Sequence, residues 1–172
     1  MRKPDQSTLI IGYGNTLRRD DGVGLKVATE AEKLGFSGTR SLRCHQLTPE
    51  LAATIAEVDR VIFVDAGIDS DPVQLQAIQP EEATGTQMGH FCDARCSLWE
   101  PAKPSPEGRC QRQSLLALSQ ILYHYAPQAW LINIPAVDFD FGEQFSPLAE
   151  NGITQALKII EKLLSTETNP LG

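Results

Sequence analysis

Two aspartates in tandem, Asp20 and Asp21, lie inside the glycine-bounded run Gly14-Asn-Thr-Leu-Arg-Arg-Asp-Asp-Gly-Val-Gly24, and a third, Asp65, closes the apolar run Val61-Ile-Phe-Val64. Carboxylates that converge from separate segments repel unless a cation or a shared proton sits between them. A metal-contacting site is the economical explanation, and its remaining ligand should be an imidazole or a thiolate. The histidines are His45, His90 and His124. His45 follows a strand-like run and can line the site, and His90, in Gln87-Met-Gly-His90, belongs to a loop with long reach. His124, in Tyr123-His-Tyr125, ends a helical segment, where a cation at the negative end of the dipole is a sufficient structural account. Two carboxylates and one imidazole suit nickel, zinc or manganese better than copper(I), and open positions would let the metal engage a substrate.

Other readings attach to the same residues. One acid of the tandem pair suffices as a helix N-cap, and Asp65 can close the turn at Ala66-Gly67. Gly12-x-Gly14 is the start of a dinucleotide fingerprint, but Leu17 occupies its third glycine position, and Cys44 and His45 stand where an acid should meet a ribose. Cys92, Cys96 and Cys110 are of zinc-ligand type with irregular gaps of three and thirteen residues, a poor match to a closed structural site. No serine or cysteine protease arrangement is recognisable, since Cys44 and His45 are adjacent and a strand points neighbours to opposite faces.

The elements that must position these residues alternate. Thr8 to Gly12 reads as a short buried strand, followed by a loop and a helix whose face is Val23, Val27, Ala31 and Leu34, closed by Gly35. Arg40 to His45 is the second strand, and Thr48-Pro49-Glu50 supplies N-cap, N1 proline and first-turn acid to a helix with Leu51, Ile55 and Val58 on one side. Val61 to Asp65 has the continuous apolar character of a central parallel strand covered on both faces. Val73 to Ile78 alternates like an edge strand. After residues 84–113, Ser114 is placed to cap a helix carrying Leu115, Leu118, Ile121, Leu122 and Tyr125, Trp130 to Ile134 is the last strand, and Ser146-Pro147 opens a helix with Ile153, Leu157, Ile160 and Leu164 in phase. Strands alternating with helices imply α/β architecture, a mostly parallel sheet between helix layers, with ligands bound beyond the carboxyl ends of the strands.

The chain of 172 residues is expected to form a single domain, with 84–113, rich in proline and lacking periodicity, as an inserted mobile loop. A net charge of −7 opposes attraction to phosphate backbones and anionic membranes, so no nucleic acid and no membrane partner is expected. The apolar runs fall far below the roughly 18 residues that span a bilayer. Without an apolar leader after Met1, a cytoplasmic location is expected.

Leu9-Ile-Ile-Gly-Tyr-Gly-Asn-Thr-Leu-Arg-Arg-Asp-Asp-Gly-Val-Gly24 resembles the opening motif of the maturation endopeptidases of nickel-iron hydrogenases. Val61-Ile-Phe-Val-Asp-Ala66 resembles their second motif, and Ile134-Pro135 with Phe141-Gly-Glu-Gln-Phe-Ser-Pro147 is also similar to that family. The resemblance implies a three-layer αβα sandwich around a mixed five-stranded sheet. It also implies a protease that removes the C-terminal extension of the hydrogenase large-subunit precursor after nickel insertion.

By motif, Asp21, Asp65 and His90 are the expected catalytic and metal-contacting set, with Gly14, Asn15, Asp20 and His45 on the substrate side. The resemblance implies nickel supplied by the precursor, with other divalent metals expected to be able to substitute. His45-Gln-Leu-Thr-Pro-Glu50 is similar to the stretch found in enzymes serving bidirectional, NAD-linked hydrogenases. The region after His90 departs from the family pattern, and an insertion that loops out Ala94 to Arg112 would leave His90 beside the two aspartates. Two chemistries stand open, nickel as a recognition tag that positions the scissile bond, or metal-assisted hydrolysis. A non-catalytic nickel-dependent chaperone of the large subunit is the alternative.

Overall fold

The computed structural model describes residues 7–68, 72–80 and 107–165. Strands β1 (Thr8–Tyr13), β2 (Thr39–Cys44), β3 (Arg60–Gly67), β4 (Gln74–Ile78) and β5 (Gln128–Pro135) form one sheet in the order β2-β1-β3-β5-β4. All neighbours are parallel except β4, which runs antiparallel to β5 at the edge. The helices are α1 (Val23–Leu34), α2 (Leu51–Ala56), α3 (Glu107–Tyr123) and α4 (Pro147–Ser165), and a 3-10 turn, Arg19–Gly22, leads into α1.

Strand periodicity of two divides the core into two layers. Leu9, Ile11 and Tyr13 of β1 with Val61 and Phe63 of β3 pack against Ala52 and Ile55 of α2 and Leu115 and Leu116 of α3. On the opposite face, Ile10, Ile62, Val64, Ile132 and Ile134 pack against Val23, Val27, Ala28 and Ala31 of α1 and Ala149, Ile153, Ala156 and Ile160 of α4. This is the expected αβα sandwich. Its strand order reverses direction between β1 and β3, and such switch points open a crevice at the carboxyl ends of the strands.

Close backbone approach brings α1 down onto the sheet beside that crevice. A Cβ on Gly12 would lie 2.0 Å from the carbonyl oxygen of Gly24, and one on Gly24 would lie 2.4 Å from that of Val64. Only glycine fits at both positions, so the start of α1 and the ends of β1 and β3 are held in contact.

Two expectations are corrected. Helix α3 begins at Glu107 and not at Ser114, so residues 107–113 of the expected loop are helical; the rest of that loop through residue 106 lies outside the described residues. Thr48 and Pro49 precede α2 as a turn, their carbonyls accepting from the N–H groups of Leu51 and Ala52. The expected edge strand is β4, at the end of the sheet beside β5, with Ile78 buried and Leu75 exposed.

Candidate functional site

The loop after β1 turns at Gly14, whose φ is +136° and whose missing Cβ would otherwise lie 2.0 Å from the carbonyl oxygen of Asp21. Gly14 therefore permits the loop to fold back over Asp21. The N–H of Asn15 donates to Oδ2 of Asp21 at 3.0 Å, and Oδ1 of Asn15 accepts from the N–H of Leu17 at 2.9 Å. Gly14 and Asn15, expected on the substrate side, act here by shaping the loop that presents Asp21.

The tandem aspartates divide into two roles. Asp20 is wholly buried, and its carboxylate accepts from the N–H of Val137 at 3.0 Å, of Asp138 at 3.1 Å and of Ser146 at 2.7 Å, and from the Ser146 hydroxyl at 2.7 Å. Burial by itself would raise its pKa, but these four bonds outweigh it and hold the carboxyl below its ordinary value. Asp20, expected on the substrate side, thus has both carboxylate oxygens engaged by donors inside the protein. It does not cap α1, whose N-terminus has no side-chain cap. Asp20 instead anchors the segment 137–146, whose Ser146 Oγ accepts from the N–H of Ala149 in the first turn of α4.

Asp21 is half-buried at the crevice. Burial raises its pKa, opposed by the Asn15 N–H and by the positive charges of Arg18 and His45. His45, exposed just after β2, is therefore close enough to act electrostatically on Asp21, on the edge where it was expected.

By strand alternation Asp65 leaves β3 on the same face as Val61 and Phe63, one residue beyond the Gly12–Val64 pair that ends the register of β1 with β3. Its Oδ2 accepts from the Tyr13 hydroxyl at 2.9 Å and from Nη1 of Arg112 at 3.0 Å, and its Oδ1 from the N–H of Ala66 at 2.8 Å. Arg112 Nη1 also donates to the Tyr13 hydroxyl, which closes a three-membered ring of side chains. Burial raises the Asp65 pKa, Arg112, Tyr13 and the Ala66 N–H oppose the rise, and the charge of Asp21 adds to it. The two carboxylates therefore feel one another. Burial and then the Asp65 charge push the Tyr13 hydroxyl well above its ordinary value, so it remains a donor.

Tyr13 and Arg112 are the site residues that sequence reasoning missed. The parity of β1, with Leu9, Ile11 and Tyr13 on one face, was the available signal for the tyrosine. For the arginine, the signal was the helical spacing Arg112, Leu115, Leu116, Ser119, all four now buried on one face of α3. A helix begun at Ser114 leaves Arg112 out of that pattern.

His90, Cys92 and Cys96 lie outside the described residues, as does the side chain of Cys110. Among the described residues, no three His, Cys, Asp or Glu side chains form a group able to hold a metal. What the site does offer a cation is oxygen chemistry, Oδ1 of Asp21 and the remaining lone pair on Oδ1 of Asp65, which suits a hard or borderline divalent ion. Cys44 packs against the α2 and α3 layer, and burial raises its thiol pKa.

Comparison with solved structures finds the same fold. The hydrogenase maturating endopeptidase HybD from E. coli superposes with a TM-score of 0.67 at 17% identity, covering 92% of this chain and 91% of that one. The nickel-iron hydrogenase maturation protease HybD from Thermococcus kodakarensis gives 0.64 at 24% identity, covering 92% and 99%. The maturation protease HycI from Thermococcus kodakarensis gives 0.62 at 20% identity, covering 94% of each chain. No protein-family model and no curated protein matches the sequence. At these identities the likeness shows a shared fold.

Proposed function

We propose that this protein is an endopeptidase that trims the C-terminal extension from the large-subunit precursor of a nickel-iron hydrogenase, recognising nickel already bound in that precursor. The observation that carries this reading is the convergence of Asp21 and Asp65, from the loop after β1 and the end of β3, at the switch point of a fold shared with hydrogenase maturation proteases. The opening and second sequence motifs lie at those two positions.

In this reading the nickel is part of the substrate. Asp21 and Asp65 present anionic oxygens to it, and His90 is the expected third contact. The engaged Oδ2 of Asp65 favours a site that meets the metal only while the precursor is docked, so nickel serves as a tag that brings the scissile bond to the crevice. Hydrolysis breaks the peptide C–N bond, with water supplying hydroxyl to the carbonyl carbon and a proton to the departing amine. The stretch His45-Gln-Leu-Thr-Pro-Glu50, similar to that of enzymes serving NAD-linked hydrogenases, supports assignment to that branch.

The test is mass spectrometry of a nickel-loaded large-subunit precursor incubated with this protein and with its Asp21→Ala and His90→Ala variants. Loss of a C-terminal peptide with the natural sequence, abolished in either variant, is the expected result. Stable binding without shortening would establish a nickel-dependent chaperone instead.

A further inference from the structure

The ring formed by Tyr13, Asp65 and Arg112 carries an inference that rests on the reading of Asp65 as a contact for precursor-bound nickel. Each carboxylate oxygen offers two lone pairs. Both of those on Asp65 Oδ2 are occupied, by the Tyr13 hydroxyl and Arg112 Nη1, and Oδ1 keeps one beyond the Ala66 N–H. The guanidinium is permanently charged, and the Arg112 side chain is only 6% exposed, so solvent does little to screen it.

We propose that Arg112 is a positioning residue and built-in counter-cation: it restricts Asp65 to one available oxygen and offsets one of the two carboxylate charges. Free divalent ions are thereby disfavoured, and the site is reserved for nickel that arrives with ligands of its own. A fixed positive charge beside a ligand oxygen opposes the approach of a second cation. An ion already coordinated by the precursor needs only an added oxygen, whereas a hydrated ion must find several. If Arg112 did not limit metal binding at Asp65, its removal would leave that binding unchanged, or weaken it by letting the carboxylate lose its fixed orientation.

Isothermal titration of the full chain with Ni²⁺ alone separates these cases. Arg112→Met is expected to bind Ni²⁺ about tenfold more tightly than the natural sequence, and the charge-retaining Arg112→Lys to stay within about threefold of it. The gain should vanish when Asp65→Asn is added to Arg112→Met. Equal or weaker binding by Arg112→Met, or a gain that survives Asp65→Asn, overturns the proposal. Should circular dichroism show Arg112→Met unfolded, Tyr13→Phe carries the test, since it frees one lone pair of Oδ2. A rise of about threefold is then expected, and no rise overturns the proposal. Failure of the endopeptidase reading looks different: a nickel-loaded precursor stays uncut by the natural sequence while the Ni²⁺ affinities keep this order.

Discussion

Asp20 and Asp21 are adjacent in the chain and have opposite electrostatics. Asp20 gathers four donors that lower its pKa, while Asp21 receives one backbone N–H and is raised by burial. Replacing Asp20 with Ala leaves buried donors unmatched at about 1–3 kcal/mol each, so a loss of at least about 3 kcal/mol is expected. For a chain of this size that lowers the melting temperature by about 10 °C, readable by circular dichroism. A change below about 1 kcal/mol would show that segment 137–146 does not depend on Asp20.

Asp21→Asn should abolish cleavage without that loss of stability. Because the folded pKa of Asp21 is raised, its ionisation costs no stability below the ordinary carboxylate range and some above the raised value. The variant should therefore gain on the natural sequence as pH rises above the ordinary carboxylate value of about 4, and melting curves recorded on either side of that value test it. Since Asp65 is raised as well, cleavage should fail on acidification above the ordinary carboxylate value of about 4. An acid limb at or below that value in the pH–rate profile would contradict raised carboxyl pKa values at both positions.

Among the elements, β1 and β3 were legible because their apolar runs, Leu9 to Ile11 and Val61 to Val64, have the length and continuity of central strands. Helix α4 was legible from Ser146-Pro147 and the spacing of its apolar residues, and Ser146→Ala, which removes both the cap and a bond to Asp20, should cost about 1–2 kcal/mol in denaturant unfolding. Helix α3 was legible only from Ser114 onward. Gly108 reads as a breaker, yet one glycine in a first turn costs only about 1 kcal/mol, which packing of Leu115 and Leu116 overrides. At the α1 and β1 contact, Gly12→Ala puts a Cβ 2.0 Å from a backbone oxygen that has no side-chain freedom to yield. Loss of cooperative unfolding or a fall of about 3 kcal/mol is expected.

Across the whole molecule, the loop carrying Asp21 and the segment carrying Phe141 are tied together, Arg19 N–H to the Gly142 carbonyl at 2.8 Å and Gly142 N–H to that of Leu17 at 2.9 Å. Leu17, Val137 and Phe141 are exposed on these tied segments, Phe141 to 81%. A precursor docked at the crevice would cover them, so Phe141→Ser should raise KM for precursor several-fold and leave the melting temperature unchanged. An unchanged KM would place docking elsewhere.

The division between sequence and tertiary structure follows from range. Periodicity and apolar continuity are local, and by themselves they determined an αβα sandwich with Asp21 and Asp65 at the carboxyl edge of its sheet. Only the packed molecule decided that Asp20 turns inward, because its partners lie 117 to 126 residues away. It likewise decided that Asp65 pairs with Arg112, 47 residues on, and shares Tyr13 with it, 99 residues back from the arginine. Which buried donor meets which carboxylate depends on how helices seat on a sheet, and no local pattern in the chain encodes that geometry.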